Sequence, residues 1–332
     1  MLVRSEVGGP GIRRVRRGRG FAYLTEDGTK VTDAATLDRI RGLVIPPAWR
    51  DVWICADPAG HIQAVGTDDA GRRQYLYHEQ WRRERDEEKH DRVLELARKL
   101  PRWRRAVAED LARPGLGRRR VLAAALRLLD RGIFRTGGEE YAEENGSHGV
   151  ATLLREHVRV SGDELRFRYT AKGGADRAVS VRDPELVKAV KALRRNNSGS
   201  DRLLVHRSGR AWHEVRAEDI NDRFKELAGD EFTAKDLRTW NATVLAAAAF
   251  GRDSDHVSKR TETAVMKEVA EALGNTPAVA RDSYVDPRVV RAFEEGETIE
   301  RAVRRARDLD DEKRRETLER AVIRLLSRRG HD

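Results

Sequence analysis

The chain has 332 residues, with 66 Lys and Arg against 56 Asp and Glu and a formal net charge of +10. At roughly 150 residues per domain this length suggests two domains, and 39% apolar content with 6 Trp, 7 Phe and 6 Tyr excludes wholesale disorder. The single cysteine, Cys55, excludes a disulfide framework and a cysteine-cluster metal site, and the aliphatic run at 244–250 is far short of the ~20 residues that span a bilayer. A pI near 9.9 then points to a soluble protein of a reducing compartment whose partner is a polyanion, nucleic acid first.

Residues 1–20 carry six arginines against one glutamate and lack the apolar stretch of a secretory signal, so they read as a basic arm. Residues 21–80 read as β-rich, with short apolar runs at Gly42–Ile45, Val52–Cys55 and His61–Val65 broken by Pro, Gly and Asp clusters. Helical periodicity begins at Glu79. A domain boundary near residue 90, with a helical connector over Arg82–Arg92, divides the chain into 1–90 and 91–332.

Residues 91–160 read as helical, including a stripe of Val121, Leu122, Ala125, Leu126 and Leu129. Residues 101–135 concentrate ten basic against three acidic side chains. Glu164–Tyr169 and Arg177–Val181 flank a glycine-bearing hairpin loop, and Asp183-Pro184 opens a helix. Further helices are predicted at 217–228, 234–250 and 259–273, the last stopping at Gly274, and a short one runs from Asn275-Thr276-Pro277 to Tyr284. Residues 298–329 read as one charged helix, packed loosely and solvated. The fold class is α+β.

The nine histidines form no metal-binding pair, and neither a Gly-x-x-x-x-Gly-Lys phosphate loop nor a Gly-x-Ser-x-Gly elbow occurs. No metal, cofactor or nucleotide is therefore expected. What remains is Arg135 among glycines at a helix end, Lys172 at the hairpin tip, Arg238 on an apolar helix, and Tyr284. Each alone reads as well structurally: an arginine in an internal ion pair, a loop lysine, a packing tyrosine.

Taken in chain order, Arg135, Lys172, Lys235-x-x-Arg238 and Tyr284 strongly resemble the catalytic set of type IB DNA topoisomerases, of the compact bacterial and poxvirus-type branch. The strings Arg39–Trp49 and Gly71–His78 resemble that family's β-domain signatures, and the likeness covers about residues 35–295. It implies a small antiparallel β domain and a mainly helical catalytic domain with a small sheet, closing as a clamp around duplex DNA. It also implies that Tyr284 attacks a phosphodiester to leave a 3′-phosphotyrosyl link. Arg135 and Arg238 would hold the non-bridging oxygens and Lys172 would protonate the 5′-oxygen, with neither metal nor ATP.

Asn275 stands where the family commonly has a histidine, and is expected to act as a neutral phosphate donor. The resemblance makes Arg72, Arg73, Gln74, Tyr75 and Tyr77 a DNA-contacting segment. It adds Tyr141 and Lys235 near the scissile strand. Gly138 replaces a lysine that poxvirus-type relatives use in sequence choice, which argues against strong sequence preference. The competing readings are a tyrosine site-specific recombinase, which usually has His-x-x-Arg and an all-helical arm domain, and a non-catalytic basic DNA-binding protein. The expected protein is a cytoplasmic, nucleoid-associated monomer with no membrane partner.

Overall fold

The arginine-rich start of the chain is a strand rather than an arm. In the computed structural model, which describes residues 1–132, 134–253 and 257–330, β1 (Gly11–Arg17) pairs antiparallel with β2 (Gly20–Leu24) on one side. On the other side it pairs with β3 (Arg50–Cys55), so cross-strand pairing orders residues that composition alone left as a charged tail. With β4 (Ile62–Thr67) and β5 (Arg73–Tyr77) these strands form one five-stranded antiparallel sheet, ordered β2-β1-β3-β4-β5.

Helix α1 (Ala34–Gly42) packs on the sheet and replaces the start of the apolar run expected at Gly42. Its signals are short ones. Asp33 caps it by accepting from the Thr36 amide at 2.8 Å, and Leu37 and Ile40 lie one turn apart facing Val52, Ile54 and Ala64. Arg39 is structural: it donates to Gln63 Oε1 and to the Cys55 carbonyl, each at 2.7 Å. Cys55 is buried.

Helix α2 (Glu79–Leu111) is continuous over 33 residues, and the chain divides within it into compact units Met1–Lys89 and His90–Asp332. The second unit is built around helices. After α3 (Arg118–Gly132) and the short α4 (Glu139–Asn145), strands β6 (Val158–Ser161), β7 (Glu164–Ala171) and β8 (Ala175–Arg182) form a three-stranded antiparallel sheet. Asp183 then caps α5 (Pro184–Arg195) through the Leu186 amide at 3.1 Å. A small hairpin, β9 (Val205–Ser208) and β10 (Ala211–Glu214), precedes α6 (Ala217–Ala228) and α7 (Ala234–Arg252).

Helix α7 is buried around almost its whole circumference, which its alanine-rich sequence allows because neighbouring helices can approach closely. Helices α8 (Lys259–Leu273), α9 (Pro277–Ser283) and α10 (Pro287–Glu294) follow it.

The single C-terminal helix expected at 298–329 is two, α11 (Glu300–Ala306) and α12 (Asp311–Arg328), separated where Asp310 caps the second by accepting from the Lys313 amide. Nor is α12 loosely solvated. Arg315 and Glu319 enter a buried ionic network in which Arg315 and Arg104 both bind the Asp130 carboxylate, and Trp240 Nε1 donates to Glu319 at 3.3 Å. Among the described residues no helix is long and apolar enough to cross a membrane.

Candidate active site

Two glycines set the backbone of Arg135. Gly137 has φ of +84°, and a Cβ on it would fall 2.7 Å from the Gly149 Cα, so the 134–138 segment lies directly on the 147–150 turn. The Val150 amide donates to the Arg135 carbonyl at 2.9 Å, and the buried Phe134 ring stacks on Tyr169 at 5.7 Å. Backbone contact on one side and ring packing on the other therefore fix where the Arg135 side chain starts.

Tyr284 is fixed from α7. The Thr243 hydroxyl donates to the Tyr284 carbonyl at 3.3 Å and accepts from the Asp286 amide at 3.1 Å. Tyr284 is 8% exposed, and its ring faces Arg238, whose guanidinium carbon sits 5.2 Å from the ring centroid. Arg238 is itself only 5% exposed.

The end of α8 explains how this cationic group is held. Its last four carbonyls lack intrahelical partners and form the negative end of the helix dipole. The Gly274 amide reaches the Ala270 and Glu271 carbonyls, with Gly274 in the left-handed conformation, and the Asn275 amide also donates to Ala270 at 2.9 Å. The remaining two are taken by arginines: Arg177 Nη2 donates to the Ala272 carbonyl at 2.5 Å, and Arg238 Nη2 donates to that of Leu273.

Electrostatics follow from that geometry. Burial, and next the neighbouring Arg135, pull the Arg238 guanidinium down from 12.5 to about 10. Burial pushes the Tyr284 phenol up, but charge and hydrogen bonds from Arg238 and Arg135 outweigh it and leave the phenol below its ordinary value of 10. The site thus favours negative charge on the Tyr284 oxygen and would gain from an anion between its arginines.

Arg135, Lys172, Lys235, Arg238 and Tyr284 line one cavity of about 470 Å³. Lys172 is exposed at the β7–β8 tip, where Gly173 and Gly174 both have positive φ. Asn275 joins through Arg135, whose Nη2 donates to its Oδ1, while the buried Asn275 Nδ2 has no hydrogen-bond partner among the described residues. The Tyr141 side chain lies outside the described residues.

Two profiles of known families match this chain. The one described as "Eukaryotic DNA topoisomerase I, catalytic core" matches residues 78–309, and "Bacterial DNA topoisomerase IB, N-terminal domain" matches 20–68. The chain belongs to the type IB DNA topoisomerase family. DNA topoisomerase 1B of Acanthamoeba polyphaga mimivirus is 30% identical over 287 residues, 83% of this chain and 85% of that protein. DNA topoisomerase I of Monkeypox virus is 24% identical over 228 residues, 67% of this chain and 69% of the relative, and DNA topoisomerase 1B of Vaccinia virus (strain Copenhagen) matches to the same extent. As a DNA topoisomerase, the protein has DNA as its substrate.

Strand β5 of this topoisomerase is a sheet edge, and its alternation presents Arg73, Tyr75 and Tyr77 on one face. The two tyrosine rings stack at 6.1 Å, and their residues are 39% and 41% exposed. Gln74 faces the other way, where its amide donates to Asp68 Oδ2 at 2.9 Å, and Arg72 pairs with the same carboxylate. Sequence reasoning missed Arg177, which couples to Arg135 and Arg238, and His148, which lines the cavity. Arg177 gave little signal, being one more arginine at the start of a strand. His148 carries no signal in the sequence, since it forms no metal-binding pair.

Proposed function

We propose that the protein relaxes supercoiled duplex DNA by cutting and resealing one strand through a 3′-phosphotyrosyl intermediate on Tyr284, without metal ion or nucleotide. The observation carrying this is the Tyr284 phenol packed against Arg238 in a cavity shared with Arg135 and Lys172. In the cleavage step the Tyr284 oxygen attacks the scissile phosphorus. A phosphorus–oxygen bond to tyrosine forms as the bond to O5′ breaks, and the phenolic proton passes to solvent. The departing O5′ takes the electron pair and a proton from the Lys172 ammonium.

Arg135 and Arg238 place their planar forks on the non-bridging oxygens, where charge builds in the transition state, and Asn275 Nδ2 adds a neutral donor. Resealing is the reverse: the 5′-hydroxyl returns its proton to Lys172 and displaces the tyrosine. One phosphodiester is exchanged for another, so no nucleotide hydrolysis is needed, and torque in the DNA turns the cut strand between the two steps. Lys235 and Tyr141, with Arg72, Arg73, Gln74, Tyr75 and Tyr77, grip the flanking duplex, and the monomer closes on it as a clamp.

The test is supercoiled plasmid incubated with the full chain in EDTA without ATP. Complete relaxation by the natural sequence and none by Tyr284→Phe is the expected result. Binding without relaxation by the natural sequence would contradict it, and relaxation confined to plasmids with one particular site would favour a recombinase.

A further inference from the structure

Lys172 sits on a hairpin that ought to be poorly fixed. Strand β8 is the edge of its sheet, and beyond the Ala171–Ala175 pair only the two-glycine tip remains. Two-stranded ribbons hold marginally on their own. Lys172 lies three residues beyond Tyr169, roughly 10 Å along the strand at about 3.3 Å per residue. A small change of angle at the base therefore moves the ammonium by a large fraction of a bond-forming distance.

The base is fastened from both sides. On β7, the Thr170 carbonyl accepts from the His148 amide at 2.8 Å, tying the hairpin to the segment that packs on Arg135. On β8, Arg177 is the cross-strand neighbour of Tyr169 and hydrogen-bonds with its hydroxyl. The same guanidinium donates through Nη2 to the Ala272 carbonyl at the end of α8. Its Nη1 comes so close to the next turn that a Cβ on Gly274 would lie 2.6 Å away.

We propose that Arg177 is a positioning residue that fastens the Lys172 hairpin to the end of α8, setting the reach of Lys172 toward the leaving oxygen relative to Tyr284 and Asn275. The proposal rests on the reading of Lys172 as the proton donor. Arg177 has the shape for the task. Its planar fork meets a phenol and a carbonyl together, which the single ammonium of a lysine does less well. The carbonyl it holds is two residues before the turn that delivers Asn275.

The experiment is single-turnover cleavage by the full chain of two otherwise identical DNA duplexes. One has the ordinary 5′-oxygen at the scissile phosphate, the other a bridging 5′-sulfur. A thiolate leaves without being protonated, so the sulfur substrate bypasses any proton donor. Arg177→Ala is expected to slow cleavage of the oxygen substrate by about 10–100-fold, the loss typical of groups that orient metal ligands from behind and taken here as the scale for an orienting contact. The sulfur substrate is expected to be cleaved within about twofold of the natural rate, the scatter by which independent changes depart from additivity.

Arg177→Lys, which keeps the charge, should show a smaller loss with the same rescue, and serves if the alanine variant does not fold. Lys172→Ala must also be rescued by sulfur, and adding Arg177→Ala to it should cost nothing further. Equal losses on both substrates for the Arg177 variants, with Lys172→Ala still rescued, would overturn the proposal while leaving the proton-donor reading intact. Failure of sulfur to rescue Lys172→Ala would instead remove the proton-donor reading, and the proposal with it.

Discussion

Arg135 donates to Asn275 Oδ1, and this one hydrogen bond decides which way the Asn275 amide faces. A guanidinium has only donors, so the amide must turn its oxygen toward it and its nitrogen elsewhere. The result is a buried Nδ2 donor without a protein partner among the described residues, on the side chain that Arg135 holds. An unpaired buried donor is costly, and a phosphate oxygen would satisfy it.

That orientation sets the first expected outcome. Asn275→Ala should slow single-turnover cleavage by about 10²–10³-fold, as for other lost oxyanion donors. Asn275→His, which can still donate, should keep most activity. Asn275→Asp should be worse than alanine, because its carboxylate would pair with Arg135 and repel the phosphate. An unchanged rate in the alanine variant would remove Asn275 from the site.

The second concerns the Tyr284 phenol. Arg238 and Arg135 hold it below its ordinary value of 10 against the opposing effect of burial. An acid group shifted this way ionises at lower pH, so removing either cation must move its titration upward. The difference in tyrosinate absorbance between the natural sequence and Tyr284→Phe isolates this group. In an Arg238→Ala background that difference should appear at higher pH, and an unshifted curve would count against the coupling.

Arg238 is a buried cation beside a second one, Arg135. Burial and repulsion from Arg135 draw its guanidinium down to about 10, so the folded state bears a cation it disfavours. Arg238→Met removes that buried cation but leaves the Leu273 carbonyl unpaired, so it should raise stability by only about 0.5–2 kcal/mol, and it should abolish cleavage. Denaturant midpoints read the first effect and single-turnover rates the second.

Asp130 makes the opposite case. Burial would raise its carboxyl, but Arg104 and Arg315 outweigh that and hold it well below its ordinary 3.8. A carboxyl depressed on folding contributes stability that is fully present above its ordinary value and is lost as pH falls below it. Asp130→Asn should therefore lower stability by about 3–5 kcal/mol at neutral pH, because it leaves two guanidiniums short of a partner, and should flatten the acid limb of the stability curve. Chemical denaturation across the acid range is the measurement.

That Arg135, Lys172, Lys235, Arg238 and Tyr284 share one cavity was legible in their order along the chain through the family resemblance, whereas each of them alone reads equally well as a structural residue. The local signals around it were strong as well: Asp183-Pro184, Gly274 and Thr276-Pro277 mark ends and starts of helices by caps that act over three or four residues. What escaped depends on distant partners. Strand β1 mixes Ile12 and Val15 with four arginines and is ordered by two neighbouring strands. The β9–β10 hairpin has only four residues per strand, too few for alternation to show. Arg177 matters through Tyr169 and Ala272, and the latter lies 95 residues away. Helix α12 looked solvated because the carboxylate that draws in Arg315 lies on α3.

The central claim is that Tyr284 becomes covalently joined to DNA, and the direct measurement is to stop a cleavage reaction with denaturant, digest protein and DNA, and identify the modified peptide by mass spectrometry. The account requires the Tyr284 peptide to carry a nucleotide through its 3′-phosphate, with a 5′-hydroxyl on the other strand end. An adduct on any other residue, or a link through a 5′-phosphate, would contradict it.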